Sequence, residues 1–221
     1  MKTPQQDKHI SYFNLLDSFK TDECPICNLI KKNVNNYFDS LLYENINNFS
    51  FIETFNKDMG FCDYHAYKFL SYNDGQAIVL TYKDILKKRI KELEKNEKKH
   101  FIKNYNEHCI ICRLIKNSEK RYLTIFSSFI EEEEFQEEFL KSKGLCIPHF
   151  QKLIEINKKI PSRIMKFQLK KYKKIYNIAK KFINSCNVSL EKNRPTLTRE
   201  EETVWKQIVK LIYGDPEIIH Y

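Results

Sequence analysis

Eight residues of this chain have the types and spacing of metal ligands. Cys24 and Cys27 form a CPIC motif, and after 34 intervening residues comes Cys62-Asp63-Tyr64-His65. Cys109 and Cys112 form a CIIC motif, followed after 33 residues by Cys146-Ile147-Pro148-His149. A CxxC or CxxH at the start of a helix places both donor atoms on one side of one turn. Two such pairs brought together supply four ligands to one ion. Three thiolates with one imidazole form a common structural zinc set, and a set of four protein ligands leaves no position for water or substrate. Taken within repeats, the sites would be Cys24, Cys27, Cys62 and His65, then Cys109, Cys112, Cys146 and His149. The expectation is two Zn²⁺ per chain, each stapling two helix starts and adding its binding free energy to folding.

Other readings of the same residues stay open at this point. The pairs could join across repeats, for example Cys24 and Cys27 with Cys146 and His149, and spacing does not separate the two pairings. Iron–sulfur clusters are an alternative cofactor, since His can replace Cys as a ligand. Redox-active dithiols are a third reading, because a thiol at a helix start has a lowered pKa. They would leave the CxxH motifs unexplained and lack the βαβ context of such sites. The eight could also be ordinary core and surface residues.

The order CxxC, long spacer, GxCxxH occurs twice, at an offset of 85 residues for the CxxC and 84 for the CxxH. Leu29-Ile30 matches Leu114-Ile115, Gly60-Phe61-Cys62 matches Gly144-Leu145-Cys146, and Phe51 and Phe55 match Phe135 and Phe139. Internal duplication is the natural reading. The elements that must carry these motifs read as helices. Ile30, Val34, Tyr37, Phe38, Leu41 and Leu42 recur at helical spacing over 24–45, with Thr21 as the expected cap. A shorter helix is expected at 50–58 and another from Cys62 to about Ser71, stopped at Asn73-Asp74-Gly75. A long helix then covers 76–103, with Val79, Leu86, Leu93 and Ile90 on its apolar side. The second repeat mirrors this at 110–130, 133–142 and 146–158. Pro161 starts a helix over 162–186 with the stripe Met165, Leu169, Tyr172, Tyr176, Ala179 and Ile183. A second row is Ile164, Ile175, Ile178 and Phe182. After a linker at 187–197, Thr198 caps a last helix with Trp205, Ile208, Val209 and Ile212 as its apolar face, ended by Gly214. The fold expected is all-α: a tandem pair of helical repeats, each with a metal site, plus a C-terminal helix. The organisation is an N-terminal segment (1–20), repeats at 21–104 and 105–188, and a linker with the closing helix (189–221), together one compact domain.

Four glycines in 221 residues exclude the phosphate loop, the dinucleotide fingerprint and the nucleophile elbow, and argue against a turn-rich β fold. No nucleophile, base and pocket can be named, so no catalytic residues are assigned and a non-enzymatic role is favoured. The start MKTPQQDKHI has no apolar run like a signal peptide, and no segment approaches the length of a membrane span; a cytoplasmic location and no membrane partner are expected. The net charge of +9 gathers on two helices, through Lys87, Lys88, Arg89, Lys91, Lys95, Lys98 and Lys99, then Lys170, Lys171, Lys173, Lys174, Lys180 and Lys181. These are solvated faces or a nucleic-acid surface. Glu131–Glu134 with Glu137 and Glu138 reads as a solvated acidic face. Cys186 reads as a core thiol and His108 as an exposed neighbour of Cys109. His9, His100 and His220 have no visible partners.

The pattern CPIC…GFCxxH followed by CxxC…GLCxPHF resembles a bacterial domain-of-unknown-function family. An aromatic segment at Tyr12-Phe13-Asn14-Leu15-Leu16 and a closing helix with Trp205 and Gly214 extend the likeness over nearly the whole chain. The second CxxC lacks the proline found at Pro25. The resemblance implies a metal-ligand role for the eight Cys and His residues and no particular activity. The function expected is a zinc-stabilised interaction protein with an unknown protein partner. The alternatives are an iron–sulfur protein in electron transfer or sensing and a nucleic-acid binder.

Overall fold

The computed structural model describes residues 8–46, 48–95, 109–157, 159–187 and 197–218. Among the described residues the regular structure is helical throughout, as the periodicity predicts. In chain order the helices are α1 (Ile10–Ser18), α2 (Pro25–Ser40, continuing into a wider π turn at Leu41–Asn45), α3 (Phe49–Lys57), α4 (Asp63–Leu70) and α5 (Gly75–Glu94). Then follow α6 (Ile110–Phe129), α7 (Glu133–Lys141), α8 (Ile147–Ile156), α9 (Ser162–Asn187), α10 (Arg199–Glu202) and α11 (Val204–Tyr213). The junction expected at 104/105, the end of the helix at 76–103, most of the 187–197 linker, and Lys98, Lys99, His100, His108 and His220 lie outside the described residues, as does the side chain of Cys186.

The chain forms two compact units. One takes the residues up to Leu29 with those from Glu119 onward; the other takes Ile30–Ser118. The division falls inside α2 and inside α6, so each of these helices gives its first turns to one unit and its remainder to the other.

Each unit has an aromatic core. In the first, Phe19 meets Phe135 and Phe139 edge-on at 5.4 Å, Phe126 meets Phe139 at 4.9 Å, and Tyr12 meets Phe129 at 4.5 Å. In the second, Phe38 meets Phe61 at 5.5 Å and Phe69 at 5.9 Å, and Phe55 meets Phe61 at 4.9 Å. All of these rings are buried. Burying each is worth about 1.5–3 kcal/mol before entropy is counted, and edge-to-face pairing adds to that.

The helix starts differ in detail from expectation. Thr21 does not cap α2; its hydroxyl donates to the Ser18 carbonyl at 2.7 Å and closes the end of α1. α2 begins at Pro25 instead, where a missing N–H costs nothing, and the Asn28 N–H bonds back to the Cys24 carbonyl at 3.0 Å. Cys62 and Cys146 are the N-caps of α4 and α8. Asp74 caps α5 by accepting from the Ala77 N–H at 2.9 Å. Thr198 and Glu201 form a capping box, but the helix they start breaks at Thr203 before α11 begins.

Three apolar rows expected in the core face solvent. On α5, Val79 and Leu86 are more than 60% exposed, and Ile90 and Leu93 are exposed as well. On α9, Met165, Leu169, Tyr176 and Ile183 are exposed while Ile164 and Ile178 are buried. The second row is therefore the packed one. On α11, Trp205, Val209 and Ile212 are exposed. Periodicity identifies an apolar face but not which of two adjacent rows the neighbouring helices cover.

Candidate metal centres

Each CxxH follows a glycine with positive φ: 90° at Gly60 and 78° at Gly144. That conformation suits glycine, and the space around it is filled. A Cβ at Gly60 would meet Tyr82 Cε1 at 3.1 Å, and one at Gly144 would meet Gln168 Oε1 at 3.0 Å. Gln168 is fully buried on α9 and brackets Leu145. It accepts from the Leu145 N–H at 3.0 Å and donates to the Leu145 carbonyl at 2.7 Å. Tyr172 donates to the same carbonyl at 3.2 Å. These bonds fix the backbone one residue before Cys146.

The structure gathers all eight residues into two clusters, and the pairing is across the repeats. Cys24, Cys27, Cys146 and His149 form one cluster; Cys62, His65, Cys109 and Cys112 form the other. The within-repeat sets are thereby corrected. The reason lies in how each long helix packs with the segment that follows it. Phe38 of α2 packs on Phe61 and Phe69, which flank Cys62 and His65. Cys27 lies eleven residues before Phe38, about 16 Å back along a helix. Likewise Glu119 of α6, which touches His149, lies seven residues beyond Cys112, about 10 Å along the helix. Each CxxH therefore packs along the body of its own repeat's helix, and the opposite repeat's CxxC completes the set.

The geometry within the clusters is that of ligands around one small cation. In the first, Cys27 and Cys146 Sγ are 3.8 Å apart, and His149 Nδ1 lies 3.1, 3.4 and 3.5 Å from Cys146, Cys27 and Cys24 Sγ. In the second, Cys62 and Cys112 Sγ are 3.7 Å apart, and His65 Nδ1 lies 3.0, 3.4 and 3.6 Å from Cys62, Cys112 and Cys109 Sγ. Metal–ligand bonds of zinc length imply tetrahedral edges of about 3.8 Å between sulfurs and about 3.5 Å between sulfur and nitrogen. All donor atoms of each cluster lie within 4.8 Å of one another, so the residues fit a single ion.

The protonation chemistry points the same way. Burial pushes the Cys24 thiol up, but hydrogen bonds with Cys146 and Cys27 and the charge of His149 outweigh it and hold Cys24 well below the usual thiol range. Hydrogen bonds with Cys146 and Cys24 push Cys27 up, and Cys24 pushes Cys146 up. In the second cluster, hydrogen bonds with Cys112 and Cys62 hold Cys109 low. Cys109 in turn drives Cys112 up and Cys62 to about 11. In each cluster one thiol ionises readily and its charge opposes the other two. A dication at the centre removes that opposition and lets all three ionise.

Around the ligands the clusters part. His149 Nε2 faces the Glu119 carboxylate at 3.0 Å, and Lys152 Nζ lies 2.7 Å from the same carboxylate. Burial works against charge on both groups. The Cys24 charge, a hydrogen bond to Cys146 and the Glu119 carboxylate nonetheless raise His149 well above its usual range, and His149 and Lys152 hold Glu119 low. A carboxylate behind a ligating histidine fixes its tautomer and orientation and raises its basicity. With the proton on Nε2, Nδ1 is free to ligate. Both Nε2 atoms are buried, and neither makes a hydrogen bond of good geometry among the described residues; the difference is that His149 has the Glu119 carboxylate at ion-pair distance and His65 has no carboxylate within 4 Å among the described residues. At the 85-residue offset, Val34 stands where the second repeat has Glu119, and it is 1% exposed. Glu119, Lys152 and Gln168 were not legible as site residues. No spacing rule links them to the motifs, although the Val34/Glu119 difference shows once the repeats are aligned. Of the remaining candidates, His9 is exposed, as are Glu131–Glu134.

The model of a family of unknown function (DUF6062) matches residues 7–193. The chain belongs to this family. That match takes in all eight cluster residues. An "Uncharacterized 23.9 kDa protein in xynA 3'region" from Caldicellulosiruptor sp. (strain Rt8B.4) is similar, at 28% identity over 144 residues, 64% of this chain and 70% of the relative. No solved structure matches the chain.

Proposed function

We propose that this protein is a zinc-stabilised, non-enzymatic helical protein that docks another macromolecule, with one Zn²⁺ in each Cys3His cluster. The observation that carries the metal assignment is the pair of clusters with single-ion tetrahedral edges. A polynuclear iron–sulfur cluster spreads its thiolates over several irons, whereas here every donor atom lies within 4.8 Å of the others. Four protein ligands fill zinc's coordination positions and leave none for substrate. The docking role is favoured by the apolar rows that α5, α9 and α11 present to solvent.

The test is metal content and visible absorption on protein purified without oxygen. The expected result is two zinc ions per chain and no visible band. Iron with a broad band in the visible would replace this reading with redox chemistry.

A second reading concerns the partner. The α9 segment carries Arg163 and seven lysines and no acidic residue between Ser162 and Asn187. That density of charge favours a phosphate backbone as the partner. Binding to single- or double-stranded nucleic acid that weakens steeply with added salt would support it; salt-independent or absent binding would remove it.

A further inference from the structure

The two clusters differ in access. A cavity of about 210 Å³ opens onto the first, and Cys24, Cys27 and Cys146 are part of its wall. Cys24 itself is partly exposed, whereas all four residues of the second cluster are buried. The cavity between α3 and the start of α6, in the unit that holds the second cluster, touches none of that cluster's ligands. The walls of the first cavity come from the segment before α2, the turn before α8, and α9, α10 and α11. These last three helices follow the second repeat's CxxH.

Three of the four lysines on this cavity are ion-paired, and Glu23 of its wall accepts from the Asn28 side-chain amide at 2.7 Å. Lys143 pairs with Asp22 at 3.1 Å, Lys174 with Glu200 at 2.7 Å, and Lys210 with Asp215 at 3.8 Å. Lys171 also lines the cavity. It is half-buried, has its Nζ 5.0 Å from the Phe167 ring centre, and has no carboxylate within 4 Å among the described residues. Four lysines and four carboxylates line the wall, Glu23 being the fourth carboxylate, and Lys171 is the lysine among them that no carboxylate holds within 4 Å among the described residues.

We propose that the first cluster is an exchangeable metal centre, releasing and accepting its ion through this cavity to and from a small anionic chelating ligand that Lys171 attracts, while the second cluster retains its ion. This rests on the metal reading above. Carboxylate oxygens of the acceptor replace the thiolates one at a time, starting with Cys24. The metal stays a dication, no electron moves, and the freed thiolates take protons from solvent. Among the described residues all four members of the second cluster are buried, so its ion would leave by local opening of its unit.

The test uses the zinc-loaded full chain and EDTA, a polycarboxylate acceptor. Zinc remaining on the protein is followed over time. Cysteines freed by metal loss are trapped with iodoacetamide, which forms a sulfur–carbon bond and expels iodide, and are located by mass spectrometry. One of two zinc ions should leave in a separate fast phase, with label on Cys24, Cys27 and Cys146 and not on Cys62, Cys109 or Cys112. Lys171→Gln should slow that phase for EDTA and leave it unchanged for phenanthroline, a neutral chelator. Loss of both ions in a single phase overturns the proposal, as does label appearing first on the second cluster. An unaltered EDTA rate in Lys171→Gln, with wild-type circular dichroism, overturns the role of Lys171. Protein that holds no zinc at the outset is a different outcome: it removes the metal reading itself.

Discussion

The two clusters share a ligand set, a local frame and nearly the same interatomic distances, yet their surroundings are opposite in two respects. Around Cys24, Cys27, Cys146 and His149 the structure provides a supporting carboxylate, Glu119, and an open cavity. For Cys62, His65, Cys109 and Cys112, the residue at the sequence register of Glu119 is the buried Val34, and all four ligand residues are buried. Support behind a ligand governs how tightly an ion is held at equilibrium. Access governs how fast it leaves. A centre can be well supported and still exchange, and one with less support can hold its ion because nothing reaches it. The first cluster combines support with access; among the described residues the second has a buried ligand set and no carboxylate at its histidine.

The largest expected effect comes from breaking the closed cluster. Cys62→Ser should remove a large share of the about 10–16 kcal/mol that structural zinc contributes in small domains. Loss of cooperative thermal unfolding by circular dichroism, with one zinc ion still bound, is the expected reading. Cys24→Ser should lower the melting temperature less, because its position is already partly open to water. Equal losses from the two variants would erase the distinction between a structural and an exchangeable centre.

Support can be tested separately from access. Glu119→Gln should weaken zinc binding at the first cluster by about 10–100-fold, measured by competition with a chromogenic chelator, and leave the second ion's affinity unchanged. Val34→Glu probes the same difference from the other side. It should raise the chelator concentration needed to strip the second ion, if register relative to the CxxC is what separates the clusters. A fall in stability with no change in affinity would show that Val34 serves packing alone.

Smaller effects are expected from the frame. Gln168→Ala leaves the Leu145 N–H without its buried partner, a cost of about 1–3 kcal/mol, visible as a lower midpoint in urea. Asp74→Ala removes the α5 cap and should cost about 1 kcal/mol, in the unit of the second cluster and without change in metal content.

Much of this was open to reading from the residues. CxxC and CxxH at helix starts, the 85- and 84-residue offsets, the all-helical pattern and the Thr198 cap are local properties, set by nearest neighbours along the chain. The apolar rows were less legible. Ile164 and Ile178 are packed while Leu169 and Tyr176 on the same helix are not, because the choice depends on which side the neighbouring helices occupy. Thr21 shows the same limit at a cap: a hydroxyl three residues past Ser18 can close one helix as readily as begin the next.

The sequence by itself determined the eight donor atoms, their grouping in pairs, and the helices that carry them, since a pair three positions apart needs only one helical turn to converge. Tertiary structure alone decided which pairs meet, because the packing of Phe38 on Phe61 and Phe69, and of Glu119 on His149, fixes where along each helix the returning segment lies. It also decided that Glu119 stands behind one histidine and that a cavity opens on one set of thiolates. Those contacts join residues tens of positions apart, and their energies exist only once the helices have packed.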